Sequence, residues 1–263
     1  YRPIVGDQVI DELHVLADHV RHRRLQHINS TSVGGGVAEI LTRMVPLLRD
    51  LGIDTTWDVI KGNQAFFAVT KAFHNALHGG KESITEEMLD VFRETTAMNL
   101  ADLNDYGDVV IVHDPQPAGL IAKRPEVGGR WIWRCHIDVA TPDPRVWNFL
   151  QKYVEGYDAS MFSMPDFAQR LSIPQYMVPP SIDPLSDKNR DLTNDEVQAV
   201  VARYGLDPER PIVTQISRFD RLKDPLGVLA AYRLIRRRHD CQLLLAGGGA
   251  TDDPEGEEVL NEV

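Results

Sequence analysis

The stretch that most limits the fold is Asn29-Ser-Thr-Ser-Val-Gly-Gly-Gly-Val-Ala-Glu39. It follows the apolar-ended run Leu25-Gln26-His27-Ile28 and leads into Val37-Ala38-Glu39-Ile40-Leu41, whose apolar positions continue at helical spacing through Met44, Val45, Leu47 and Leu48. This pattern predicts a strand, a glycine loop and a helix. Gly34, Gly35 and Gly36 remove Cβ where the chain must turn sharply, so backbone N–H groups and the positive helix end can come close to a bound anion. A phosphate or a sugar hydroxyl is the natural guest. The spacing is neither the dinucleotide fingerprint nor the phosphate loop, because Val37 and Ala38 follow the glycines and no lysine does. A turn before a helix is the plainer reading of the same residues.

With 263 residues the chain can bury a substantial core, and the length suggests about two domains. The two cysteines, Cys135 and Cys241, each sit in an apolar strand-like run, so no disulfide framework is expected and the cytoplasm is the expected compartment. A net charge of -11 argues against broad binding to nucleic acid or to an anionic membrane. Tyr1 to Asp7 has neither a basic segment nor an apolar core, and no later run is long and charge-free enough to span a bilayer; a soluble protein is expected. The basic run His19 to Arg24 reads as a solvated helix end, and His14, His19 and His22 as surface histidines. His74 and His78 are spaced i, i+4 without the glutamate of a zinc-protease helix, which favours a structural role.

Along the chain, apolar runs repeatedly end in polar or turn-forming residues. Thr55 to Ile60 reads as a second strand, Phe66 to Leu77 as a helix closed by Gly79-Gly80, and Thr85-Glu86-Glu87 as the start of another helix towards Asn104. Val109-Val110-Ile111-Val112 has the continuous apolar character of a parallel strand buried on both faces, and it ends in His113-Asp114-Pro115-Gln116-Pro117. Trp131-Ile132-Trp133 runs into Arg134-Cys135-His136-Ile137-Asp138; Ser160-Met161-Phe162 precedes Met164-Pro165, and Tyr176-Met177-Val178 precedes Pro179-Pro180. Ligands of an open parallel sheet bind beyond the carboxyl ends of its strands, so His113, Asp114, Gln116 and His136 are candidate site residues, with helix capping or a turn as the alternative. Trp131 and Trp133 are expected in the core or against a neighbouring helix.

Pro179 to Pro184 reads as a linker, dividing the chain into domains 1–180 and 181–263. Beyond it come a helix from Thr193 to Tyr204 with Thr193 as its cap, a strand Ile212 to Ile216, the loop Ser217 to Asp224, a helix Leu226 to Arg237 with Pro225 in its first turn, and a strand Gln242 to Ala246 ending in Gly247-Gly248-Gly249. One β-α-β unit cannot bury both faces of its sheet. Residues following Val263, or failing those another chain, are expected to cover them.

Taken together, Asn29 to Glu39, His113-Asp-Pro-Gln-Pro117, Trp131-Ile-Trp-Arg-Cys-His-Ile-Asp138, Met177-Val-Pro-Pro-Ser-Ile-Asp-Pro184, Gln215-Ile-Ser-Arg-Phe-Asp220 and Asp252-Asp-Pro-Glu-Gly256 resemble the glycosyltransferring trehalose synthases and the related retaining trehalose phosphorylases of glycosyltransferase family 4. The resemblance implies an α/β architecture of GT-B type, two Rossmann-like domains facing a cleft, the second only partly present. The first domain would bind the acceptor sugar and the second the nucleotide-sugar donor. The implied reaction joins glucose from ADP-, UDP- or GDP-glucose to free glucose with retention, making trehalose; the phosphorylase variant would use glucose 1-phosphate. A non-catalytic sugar-binding fragment is the competing class, and a nicotinamide-dependent dehydrogenase is a distant third because its fingerprint is missing. A homodimer is compatible with the resemblance, although no residue pattern demonstrates one.

Cleaving a glycosyl–phosphate bond leaves negative charge on the phosphate, so fixed cations should lower the barrier. Arg218 and Lys223, at a strand end and five residues apart, suit that task, and the resemblance gives them the donor phosphate. Ion pairing with Asp220 or Asp224 is the structural alternative. Gly35 and Gly36 would meet the donor phosphate or the acceptor, His136 would hydrogen-bond beside the reacting sugar, and Asp114, Gln116 and, more weakly, Asp138 would orient acceptor hydroxyls. No metal and no cofactor are implied, and Asp252 and Asp253 read as a loop.

Overall fold

A computed structural model of the chain describes residues 1–248 and 255–263, and the chain divides into two compact units, Tyr1–Ile182 and Asp183–Val263. Along the first unit run α1 (Arg2–Asp18), β1 (Leu25–Asn29), α2 (Gly36–Asp50), β2 (Thr55–Val59), α3 (Gln64–Leu77), α4 (Glu86–Asp102), β3 (Val109–His113), α5 (Arg124–Val127), β4 (Arg130–Arg134), α6 (Pro144–Val154), β5 (Ala159–Phe162) and β6 (Gln175–Met177). All six strands pair in parallel, in the order β2-β1-β3-β4-β5-β6. The alternation of strands and helices read from the apolar runs is therefore present, in the doubly wound form.

Side chains alternate between the faces of a strand, and that alternation separates two layers. Ile28, Val110, Val112, Trp131 and Trp133 lie on one face and form the main core with Phe66 and Phe73 of α3, Phe92 of α4 and Leu150 of α6. Trp131 and Trp133 are thus core residues, each with its indole N–H satisfied, by the Gly128 and Asp114 carbonyls respectively. On the other face Leu25 packs with Leu47 and Leu48 of α2 and Leu13 of α1 around Ala17, Leu51 and Ile53. His27 and His113 share Leu25's side of the sheet, and both are buried.

Helix starts follow their caps. Asn63, Thr85 and Asp143 accept hydrogen bonds from first-turn amides of α3, α4 and α6. The basic run His19 to Arg24 departs from its reading as a helix end, because α1 stops at Asp18 and the run forms the turn into β1. Arg21 pairs with Asp18 and Arg24 with Asp105.

The second unit contains α7 (Asn194–Arg203), β7 (Ile212–Ile216), α8 (Pro225–Ile235), β8 (Gln242–Ala246) and α9 (Glu255–Glu262), with β7 and β8 parallel. Thr193 and Glu196 form a reciprocal capping box at α7, and Asp224, in a left-handed conformation (φ 49°), caps α8 through the Gly227 amide. Gly249 and the Asp252-Asp253 loop lie outside the described residues. Among the described residues no helix is long and apolar enough to cross a membrane, and both cysteines are free and buried.

Asn99 of α4 is buried and makes three hydrogen bonds: it accepts from the Lys61 amide (2.7 Å) and donates to the carbonyls of Lys61 (2.7 Å) and Thr95 (2.9 Å). It anchors the segment after β2 to α4. Asn99→Leu strands both Lys61 backbone groups and should destabilise the first unit by about 2–4 kcal/mol. All four tryptophans lie at or before Trp147, so urea unfolding followed by tryptophan fluorescence reads this unit alone.

Candidate active site at the carboxyl ends of three strands

From β1 the chain goes to β2 on one side and then returns to β3 on the other, which makes the carboxyl ends of β1 and β3 the topological switch point of the sheet. Three segments lie at these strand ends: the glycine loop after β1, His113 at the end of β3 with Asp114 to Gln116 beyond it, and Cys135 to Asp138 after β4.

The glycine loop is fixed by its own polar side chains. Asn29 donates to the Thr31 carbonyl (2.7 Å) and accepts from the Trp57 indole (2.8 Å), while the Thr31 hydroxyl donates to the Val33 carbonyl (2.7 Å). Only Gly34 is left-handed (φ 81°); Gly35 is extended and caps α2, and Gly36 is its first helical residue. The expectation that all three glycines serve a sharp turn therefore holds for Gly34 alone. A Cβ at Gly36 would meet nothing within 4 Å, and one at Gly35 only the Thr31 methyl at 4.0 Å. Neither turn geometry nor internal packing demands glycine at 35 and 36; open space lies in front of a helix N-terminus.

Asp114 holds the second segment in a costly conformation, φ 65° in a residue with a Cβ. Its amide donates to the Arg134 carbonyl (2.8 Å), its carbonyl accepts from the Trp133 indole (3.0 Å), and Oδ1 accepts from the His136 amide (2.7 Å). The carboxylate thereby clips the loop after β3 to the one after β4. Asp138 acts locally, accepting from the Ala140 amide (2.8 Å). Gln116 lines a small crevice with Ile60, Phe66, Thr96, Asn99 and Leu120, its Oε1 buried without a hydrogen-bond partner.

His136 is half-buried, and its Nε2 lies 2.9 Å from Nδ1 of His113, whose Nε2 lies 3.0 Å from Nδ1 of His27. Burial pushes His27 down to about 4; it pushes His113 well below the usual histidine value, helped by His27 and His136, and lowers His136 despite the opposing pull of Asp114. All three are therefore neutral near pH 7. His113 spends one ring nitrogen on each neighbour, so the three rings do not converge on one ion, and no group of metal-binding residues occurs among the described residues. His27 has no role in the sequence reading; its one signal was a histidine inside an otherwise strand-like apolar run.

In the second unit Arg218 lies just beyond β7, half-buried, with Nη2 3.6 Å from the buried Asp220 carboxylate. The ion pair held as the alternative for Arg218 is thus formed, at the long end of such contacts. Lys223 is exposed at the end of the short turn Arg221–Lys223, which the Gln215 amide fixes through the Lys223 carbonyl (2.7 Å). Both cations follow the same strand, on one loop.

Residues 27–169 match the family described as "Trehalose synthase, N-terminal domain". A trehalose synthase of Thermococcus litoralis is 46% identical over 97% of this chain, which spans 63% of that protein's length. A trehalose phosphorylase of Pleurotus pulmonarius is 26% identical over the whole chain and 42% of its own. Among solved structures, a trehalose-6-phosphate synthase, OtsA, has a TM-score of 0.66 at 13% identity, covering 91% of this chain and 68% of that one. An E. coli relative bound with UDP-2-fluoro glucose has a TM-score of 0.64, also at 13% identity, with the same coverage. The fold of the chain is that of the GT-B glycosyltransferases.

A group whose folded pKa lies below its unfolded one stabilises the fold above the unfolded value and loses that contribution as pH falls towards the folded value. For His27, lowered from 6.5 to about 4, the loss falls between those two values. From pH 7 to pH 5 it amounts to about 2 kcal/mol from this residue alone. Tryptophan-monitored urea midpoints of the first unit should fall across that interval; a flat profile would mean that His27 charges freely.

Proposed function

The chain belongs to the trehalose synthase family, and on that premise we propose that it forms part of a retaining glucosyltransferase that makes trehalose from glucose and a nucleotide-glucose, whether ADP-, UDP- or GDP-glucose. The observation that carries the reading is the glycine pair at the N-terminus of α2, where the fold itself has no use for glycine and a ligand does. Backbone amides and the positive helix end are suited to a phosphate or to sugar hydroxyls there.

In this reading the departing phosphate is neutralised by Arg218 and Lys223 as the glucosyl carbon gains positive charge. Asp220 holds the Arg218 guanidinium in place. His136 hydrogen-bonds to the reacting sugar, and Asp114, Gln116 and Asp138 form the acceptor side. Asp114 and Asp138 each have an oxygen tied to a neighbouring amide, which suits fixed hydrogen-bonding roles better than covalent attack. Retention would then follow a front-face path, with a donor phosphate oxygen taking the acceptor's hydroxyl proton rather than the two-carboxylate route of hydrolases. A phosphorylase using glucose 1-phosphate is the second reading, favoured by the phosphorylase relative that aligns over the whole chain. A cytoplasmic setting fits the two free cysteines.

Purified protein incubated with glucose and each nucleotide-glucose should yield α,α-trehalose, detected by NMR of the anomeric protons. Trehalose from glucose 1-phosphate alone would transfer the assignment to a phosphorylase, and binding without product would reduce it to a sugar-binding module. Arg218→Ala should lower kcat about 100-fold. Gly36→Ala should leave thermal stability nearly unchanged, because the added methyl has room in the first helical turn, yet raise KM about tenfold by obstructing the ligand.

A further inference from the structure

His27 and His113 have no part in the reaction outlined above, yet they join His136 in a file that the sheet register builds. His27 on β1 lies opposite Ile111 on β3, and His113 is two residues further along the same face. His113 lies opposite Arg134 on β4, and His136 is two residues beyond Arg134. Each step moves one strand across and two residues forward, and brings ring nitrogens within 3.0 and 2.9 Å.

A neutral imidazole has one donor nitrogen and one acceptor, so three neutral rings in file must all point the same way. With hydrogen on every Nδ1, His27 donates to His113 and His113 to His136, whose own Nδ1–H is left at the far end. With hydrogen on every Nε2, the direction reverses and His136 ends in a bare Nδ1. The buried end decides between them. Nε2 of His27 is enclosed without a hydrogen-bond partner, and a buried orphan N–H is rarer than a buried unfilled acceptor. The first arrangement leaves only a lone pair there.

We infer that His27 and His113 are positioning residues that lock His136 into the tautomer with hydrogen on Nδ1, so that it offers a ligand oxygen a donor and never an acceptor. This rests on the reading of His136 as a sugar contact. Beyond the histidines themselves, the charged groups acting on the file are Asp114, which favours a charged His136, and Arg134, which opposes charge on His113 and His136. Protonating His136 on Nε2 would set two N–H groups against each other and break its link to His113 in this arrangement.

Long-range ¹H–¹⁵N correlation spectra of the wild-type protein at pH 7 read the tautomers directly. Hydrogen on Nδ1 with bare Nε2 is expected for all three rings; hydrogen on Nε2 of His136 would overturn the proposal whatever the enzyme assay gives. His113→Phe should return His136 to a mixture of tautomers and raise KM for the glucosyl donor roughly tenfold, the equivalent of one hydrogen bond. An unchanged His136 tautomer in that variant would also defeat the proposal. Should the variant fail to fold, the wild-type spectrum still decides. The expected tautomers without trehalose formation would refute the functional reading and leave the histidine file standing, whereas trehalose formation with His136 bare at Nδ1 would do the reverse.

Discussion

The parallel register of β1, β3 and β4 is the constraint from which the rest of the first unit follows. It sets Ile28 beside Val112 and Val112 beside Trp133 on one face, which becomes the dry core under α3, α4 and α6. The same register places His27, His113 and Arg134 on the opposite face. A slip of one residue in β1 or β3 would turn His27 or His113 towards the core, and one in β4 would turn Trp131 and Trp133 out of it, so apolar burial on one face enforces polar alignment on the other.

That alignment has a cost which the structure offsets locally. Asp114 takes a backbone conformation few residues with a side chain adopt, and its amide, carbonyl and carboxylate all find partners on β4 or the loop after it. Buried histidines are tolerated because they satisfy one another, leaving one unfilled nitrogen at His27. The glycine loop is held in the same economical way, by Asn29 and Thr31, which leaves the N-terminus of α2 unobstructed. Rigid supports thus surround an open helix N-terminus and a half-buried imidazole.

Much of this was legible in the chain. Among the described residues, apolar runs ending in turn residues locate seven of the eight strands by pattern and the first through its glycine loop, and Thr85, Thr193 and Pro225 mark helix starts because capping is a local matter of two or three residues. The basic run His19 to Arg24 follows the end of α1 at Asp18 rather than lying within it, because charge alone does not mark where a helix stops. Three glycines in a row looked equivalent, yet only Gly34 needs its freedom of φ, a distinction that depends on how the loop meets α2. Arg218 could be picked out by position, but its contact with Asp220 could only be offered as an alternative.

The sequence by itself determined the alternation of strands and helices, the division near residue 180, the segments that carry polar chemistry and the family resemblance, because each of these is written in neighbouring residues. Tertiary structure alone decided that His27 belongs with His113 and His136, which are 86 and a further 23 residues away. Strand order and register are set by the packing of whole faces against whole helices, and no local pattern encodes which strand will lie beside which.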